Sequence, residues 1–190
     1  MFTSNFYKTL SGFLFNNNND TNNVTPQVVD YQGDAQYVNM NSTSQTYNAL
    51  TFGYNSANCT SLNYAIKTFN NSNGGVAFGD GDAPATLSDY TLSGNMLSNF
   101  SYSSSIVRET DEEGSSLSNC FTITNTGTGD MTIKEVCLFA TGVAYRKKAG
   151  GSTSGRLCLI DRTVLDEPVT IPAGGVGQVT YKLKLNYPTA

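Results

Sequence analysis

From residue 28 onward, short apolar runs alternate with glycine, asparagine and proline, the pattern of β-strands separated by turns. The clearest run lies near the end. Val179, Tyr181, Leu183, Leu185 and Tyr187 fall on one face, and Gln178, Thr180, Lys182, Lys184 and Asn186 on the other. A period of two with one polar side predicts a strand that buries one face and wets the other. Leu62, Tyr64 and Ile66 repeat the pattern, as do Phe100 and Tyr102 among serines. Val76-Ala77-Phe78 and residues 133–140 are shorter or more continuous apolar pieces. Residues 157–165 are apolar apart from Asp161, Arg162 and Thr163, which predicts a central strand covered on both faces. Between the runs stand Asn125-Thr126-Gly127-Thr128-Gly129-Asp130 and Pro172-Ala173-Gly174-Gly175, both turn chemistry. Many strands at such spacing predict an all-β antiparallel β-sandwich spanning residues 28–190.

The first 27 residues follow a different pattern. Asn16-Asn17-Asn18-Asn19 and Asn22-Asn23 form a polar tract that buries too little to order itself. The aromatics Phe2, Phe6, Tyr7, Phe13 and Phe15 are anchors that could hold this Asn-rich N-terminal arm on a neighbour. Two expectations stand side by side: a loose terminus, or an arm that orders on a partner subunit.

Composition narrows the function classes. The chain has 190 residues, enough for one domain with a substantial core. It contains no histidine, which excludes Ser-His-Asp and Cys-His nucleophile systems and every zinc site with an imidazole ligand. The first hundred residues carry two cations against six carboxylates, and so account for the whole net charge of −4. A nucleic-acid partner wants a basic stripe, and none is present, so no nucleic acid is expected. No stretch approaches the roughly 20 apolar residues of a spanning helix, so no membrane is expected either. Cys59, Cys120, Cys137 and Cys158 form no close-spaced pair and predict reduced thiols in a protein assembled in the cytosol.

Candidate chemistry is sparse. Gly79-Asp80-Gly81-Asp82 offers two carboxylates but lacks the further acidic positions and closing glutamate of a calcium loop, so a turn stiffened by Pro84 is expected. Asp111, Glu112 and Glu113 are neighbours in a polar turn, whereas glycoside hydrolysis needs carboxyls facing across a cleft. Arg146, Lys147 and Lys148 beside a glycine- and serine-rich loop would suit an anionic partner or simply solubilise a loop tip. No catalytic residue, cofactor or metal ligand emerges, and the expectation is a non-enzymatic protein.

Several segments resemble structural proteins of tailed bacteriophages of the gut type. They are Val76-Ala77-Phe78-Gly79-Asp80-Gly81-Asp82-Ala83-Pro84 with Asp89-Tyr90 and Leu92 beyond, Phe121-Thr122-Ile123-Thr124-Asn125-Thr126-Gly127, residues 132–140, Arg162-Thr163-Val164-Leu165-Asp166 and residues 168–181. The resemblance covers about residues 76–187. It implies an immunoglobulin-like or jelly-roll-like sandwich in a virion component assembled in the host cytoplasm. It carries over no catalytic residue. The partners implied are other virion proteins and further copies of the chain, in a tail, neck or fibre-associated part. A capsid-decorating or head-fibre protein and an adhesin for a host-surface glycan are the alternatives.

Overall fold

Alternating side chains and the turns between them give ten strands among the described residues, paired antiparallel throughout. The computed structural model describes residues 1–8, 27–39, 75–110, 114–140, 144–146, 154–155 and 157–186. A short helix, α1, spans residues 4–8. The strands are β1 (Gln27–Val29), β2 (Ala35–Asn39), β3 (Gly75–Gly79), β4 (Phe100–Thr110), β5 (Gly114–Asn125), β6 (Met131–Ala140), β7 (Ala144–Arg146), β8 (Ser154–Gly155), β9 (Cys158–Ile171) and β10 (Val176–Asn186). The strand expected around Leu62–Ile66 lies outside the described residues, as does Tyr187.

Two sheets form an antiparallel β-sandwich. One has the order β3-β6-β9 and the other β10-β5-β4. Their inner faces meet in a core of Val76, Phe78, Ile133, Val136, Leu138 and Ile160 against Phe121, Ile123, Val179 and Tyr181. Phe78 stands edge-on to both Phe100 and Phe121, with ring centroids 5.8 and 5.6 Å apart, so the centre is an aromatic contact between the sheets. The pattern on β10 follows from this packing: Val179 and Tyr181 are buried, while Gln178, Thr180, Lys182 and Asn186 are exposed.

The first sheet is covered on its other face too. Ala77, Cys137, Phe139 and Leu159 point away from the sandwich core and pack beneath Leu92 and Tyr31. The fully covered central strand is therefore β6. The segment 157–165, expected in that place, begins β9, which stands at the end of the order β3-β6-β9. Residues 158–162 are nevertheless buried, because residues 1–3 line their outer edge. Apolar continuity reports burial on both faces, and an end strand covered by another segment satisfies that as well as a central one.

The pairing of β6 with β9 is irregular between Ile133 and Glu135. Met131 and Ile133 face the core, and strict alternation would send Glu135 there next. Instead the core positions resume at Val136 and Leu138. Lys134 and Glu135, though consecutive, both bond to the segment that joins β3 to β4. The bulge re-aims a carboxylate out of an apolar layer.

Asn125 fastens one end of the sandwich. Its Nδ2 donates to the carbonyls of Gly129 and Ile171, and its Oδ1 accepts from the Gly127 amide. Its backbone bonds to Gly174 and Gly175 in the turn that follows Pro172. Gly174 sits at φ +70°, the left-handed position this tight turn requires. One side chain thus ties the β5–β6 turn to the β9–β10 turn.

Candidate functional site

The described part of the N-terminal segment is anchored on its own chain. Residues 1–3 run antiparallel to the outer edge of β9: the Thr3 amide donates to the Ile160 carbonyl at 2.9 Å, and the Arg162 amide donates to the Met1 carbonyl at 3.2 Å. The Thr3 hydroxyl is buried and donates to the Leu159 carbonyl at 2.7 Å. Asn5, also buried, exchanges two bonds with the backbone of Val29 in β1, as a neighbouring strand residue would. The Ser4 amide donates to the Leu87 carbonyl. Phe2 of the extended stretch and Phe6 of α1 stack with ring centroids 4.2 Å apart and pack on the sandwich core. Tyr7 meets Phe6 edge-on and is half exposed. The Met1 amine lies 2.9 Å from the Asp161 carboxylate and donates to the Arg162 carbonyl at 2.7 Å. Asp161 also accepts from the Tyr181 hydroxyl, and burial together with this adjacent charge pushes the phenol well above its ordinary pKa.

A second polar cluster lies on the other face of the first sheet. Arg162 is 1% exposed and Glu135 is fully buried. The guanidinium donates from Nε to Glu135 at 2.6 Å, from Nη1 to Asp89 at 2.8 Å, and from Nη2 to the Ala83 carbonyl at 2.6 Å. Glu135 in turn accepts from the backbone amides of Ser93 and Gly94. Burial disfavours the charge on Arg162, but its bonds to Glu135 and Asp89 outweigh this and hold its pKa above the ordinary value. Burial likewise pushes Asp89 up. Its bonds from Thr86 and its pairing with Arg162 more than reverse that, leaving the carboxyl below its ordinary value. The result is a clamp that draws the segment between β3 and β4 down onto the sheet. Gly81 and Gly94 meet backbone to backbone beside it, and a Cβ on either would overlap the other's main chain.

The clamp assigns a structural task to the acidic turn considered for calcium. Asp80 accepts from the amide and side chain of Asn95, and Asp82 pairs with Lys134 at 3.0 Å. A polar recess of about 480 Å³ lies nearby, lined in part by Asp80, Asn99, Asn125 and Asp130, with the Asn125 amide already engaged in the turns. Cys120, Cys137 and Cys158 are in no disulfide among the described residues, and burial pushes Cys137 far above the range in which thiolates form.

Of the residues expected to contact partners, Phe2, Phe6 and Tyr7 come together, with Phe2 opposite Asp161 of β9 and Phe6 between Phe2 and Tyr7. The backbone of Arg146 ends β7 opposite Tyr37 of β2. Phe13, Phe15, Lys147 and Lys148 lie outside the described residues. The sequence pattern did not single out Arg162, Glu135, Asp89, Thr3 or Asn5. The one available signal was a pair of charges, Glu135 and Arg162, inside otherwise apolar strands. Among the described residues no helix is long and apolar enough to cross a membrane. No family model, curated protein or solved structure matches the chain.

Two outcomes test the clamp. Replacing Arg162→Met strands the buried Glu135 carboxylate and is expected to cost about 3–5 kcal/mol in urea unfolding, whereas Arg162→Met with Glu135→Leu recovers most of the loss. An equal or larger loss in the double variant would show that the ion pair itself supplies net stability. The depressed Asp89 carboxyl contributes stability that is complete above about pH 4 and is lost as pH falls through its folded value. Amide exchange across residues 83–94 is therefore expected to quicken in that acid range, and Asp89→Asn to remove the step.

Proposed function

We propose that the chain is a non-enzymatic structural protein of a bacteriophage particle, a tail, neck or fibre-associated part built by symmetric contacts between copies. The observation that carries the assembly half of this reading is the edge of β4, which pairs with no second strand among the described residues. A sandwich of two open sheets has four edges to protect. The edge of β9 is lined by residues 1–3 at Leu159–Arg162 and carries Asp166, Glu167 and Pro168 beyond, and that of β3 is met by the Gly79–Met96 bridge and the Leu97 amide bound to the Phe78 carbonyl. The end strand β10 carries Lys182 and Lys184, the charged style of protection. Among the described residues β4 pairs only with β5, along eleven residues free of proline and lysine whose charges, Arg108 and Glu109, stand near its C-terminal end. Ser101, Ser103, Ser104 and Ser105 are exposed there, with Tyr102 and Val107 about half exposed.

A strand edge of that length takes another strand, and its natural occupant is the same edge of a second copy across a two-fold axis. Antiparallel self-pairing joins two three-stranded sheets into one and needs no side-chain pockets, which suits a serine-rich strand. The buried polar groups described above support the same view, since they are spent on fixing loops. The phage assignment itself rests on the resemblance of residues 76–187 to virion proteins.

Two measurements test the proposal. Ser103→Lys, Ser105→Lys and Val107→Lys together place like charges opposite one another in the self-paired strand and touch no buried group. The variant is expected to be a folded monomer where the unaltered chain is an oligomer by light scattering, and an oligomer of unchanged size would remove β4 as the contact. Quantitative mass spectrometry of purified particles is expected to find copies in the number of one ring or one set of fibres. A number near that of the major capsid protein would mean capsid decoration, and absence from particles would overturn the phage assignment.

A further inference from the structure

We infer that residues 1–8 are an exchangeable arm, and that their seat on β9 receives the same segment from a second copy of the chain. This inference rests on the proposal that the protein assembles with itself.

The seat is a complete binding surface in its own right. It is composed of the β9 edge at Leu159–Arg162, the Leu87 carbonyl and the Val29 backbone. Among the described residues, the bonds that Thr3, Ser4 and Asn5 make to the seat reach positions 24 or more residues along the chain. The segment is held by backbone pairing, by a buried hydroxyl and amide, and by the stacked Phe2 and Phe6. A copy supplied by a neighbour would reproduce all of these.

The connection has the length to do so. Eighteen residues separate Lys8 from Gln27, and an extended chain of that number spans about 60 Å. A 190-residue globule has a radius of gyration of roughly 16 Å, so the centres of two touching copies lie about 40 Å apart, within that reach. Exchange leaves the contacts unchanged. Its cost is the lost local concentration of a chain's own arm, and copies already held side by side restore that concentration. Because each copy both gives and receives an arm, the exchange closes under the symmetry of the assembly. An arm withdrawn without replacement would instead bare the β9 edge.

The bond pattern names the best probe. The bonds from Thr3 to Ile160 and from Arg162 to Met1 flank Phe2 and Asp161, so these two form a non-hydrogen-bonded antiparallel pair, with Cα atoms about 4.5 Å apart. That spacing accepts a disulfide. Differently tagged full-length chains, one carrying Phe2→Cys and the other Asp161→Cys, are co-expressed and oxidised, and the linked peptides are identified by mass spectrometry. A 2–161 link between the two tags is expected. If the pair yields none while a single chain bearing both substitutions links internally and the oligomer persists, exchange is overturned and self-assembly stands. A chain that is monomeric at every concentration overturns both.

Asp161→Cys also removes the partner of the Tyr181 hydroxyl and so risks misfolding. A second measurement avoids any substitution. Light- and heavy-nitrogen chains are mixed, unfolded and refolded together, then coupled by carbodiimide, which joins the Met1 amine to the Asp161 carboxylate 2.9 Å away. Heavy–light linked peptides as frequent as like pairs establish exchange. Like pairs alone, in an oligomer that contains both isotopes, overturn it.

Discussion

The buried pairing of Arg162 with Glu135 is the constraint around which this sandwich is arranged. A carboxylate fully out of water is costly unless its lone pairs are met, and Glu135 is met by one guanidinium nitrogen and two backbone amides. Those amides belong to Ser93 and Gly94, and the guanidinium also holds the Ala83 carbonyl and Asp89. The price of burying the charges is thus converted into a fixed path for the segment between β3 and β4. Leu92 on that segment completes the second apolar layer over Cys137 and Phe139. Without the clamp the outer face of the first sheet would lose its cover.

The same segment closes the β3 edge through Met96 and Leu97, while residues 1–3 close the β9 edge. The β3 edge and the Leu159–Arg162 part of the β9 edge are therefore covered from within the chain. The second sheet differs: one edge strand bears lysines, and among the described residues the serine-rich β4 pairs with β5 alone. This asymmetry supports an outward role for β4. It also makes the N-terminal segment the more interesting seal, because its connection to the rest of the chain is long in sequence while its seat is assembled from distant parts.

Charge and packing are also linked across β9 itself. Arg162 turns to the clamp on one face, while its neighbour Asp161 meets Tyr181 and the Met1 amine. Two adjacent charged residues in an apolar strand thus serve opposite sides of one sheet. The first holds a connecting segment and the second helps seat the N-terminal segment. The irregular pairing with β6 places Glu135 on the Arg162 side, so a local fault in the ladder is what brings the ion pair together.

The alternation of apolar and polar positions determined the class of fold. The strand built on Val179 and Tyr181, the Phe121 and Ile123 strand, and the turns at Asn125 and Gly174 were all legible, because period two and turn chemistry are local properties. The absence of histidine determined which chemistries the chain lacks. Strand order was not legible, and residues 157–165 show why: burial on both faces does not distinguish a middle strand from an end strand with a cover. The clamp was hidden because Glu135, Arg162 and Asp89 are separated by 27 or more residues and meet only through a β-bulge. The seat for Phe2 and Phe6 was hidden for the same reason. Their aromatic character marked them as anchors, but only the folded edge of β9 decided where they anchor, since a binding surface composed of Val29, Leu87 and Ile160 exists nowhere in the linear chain.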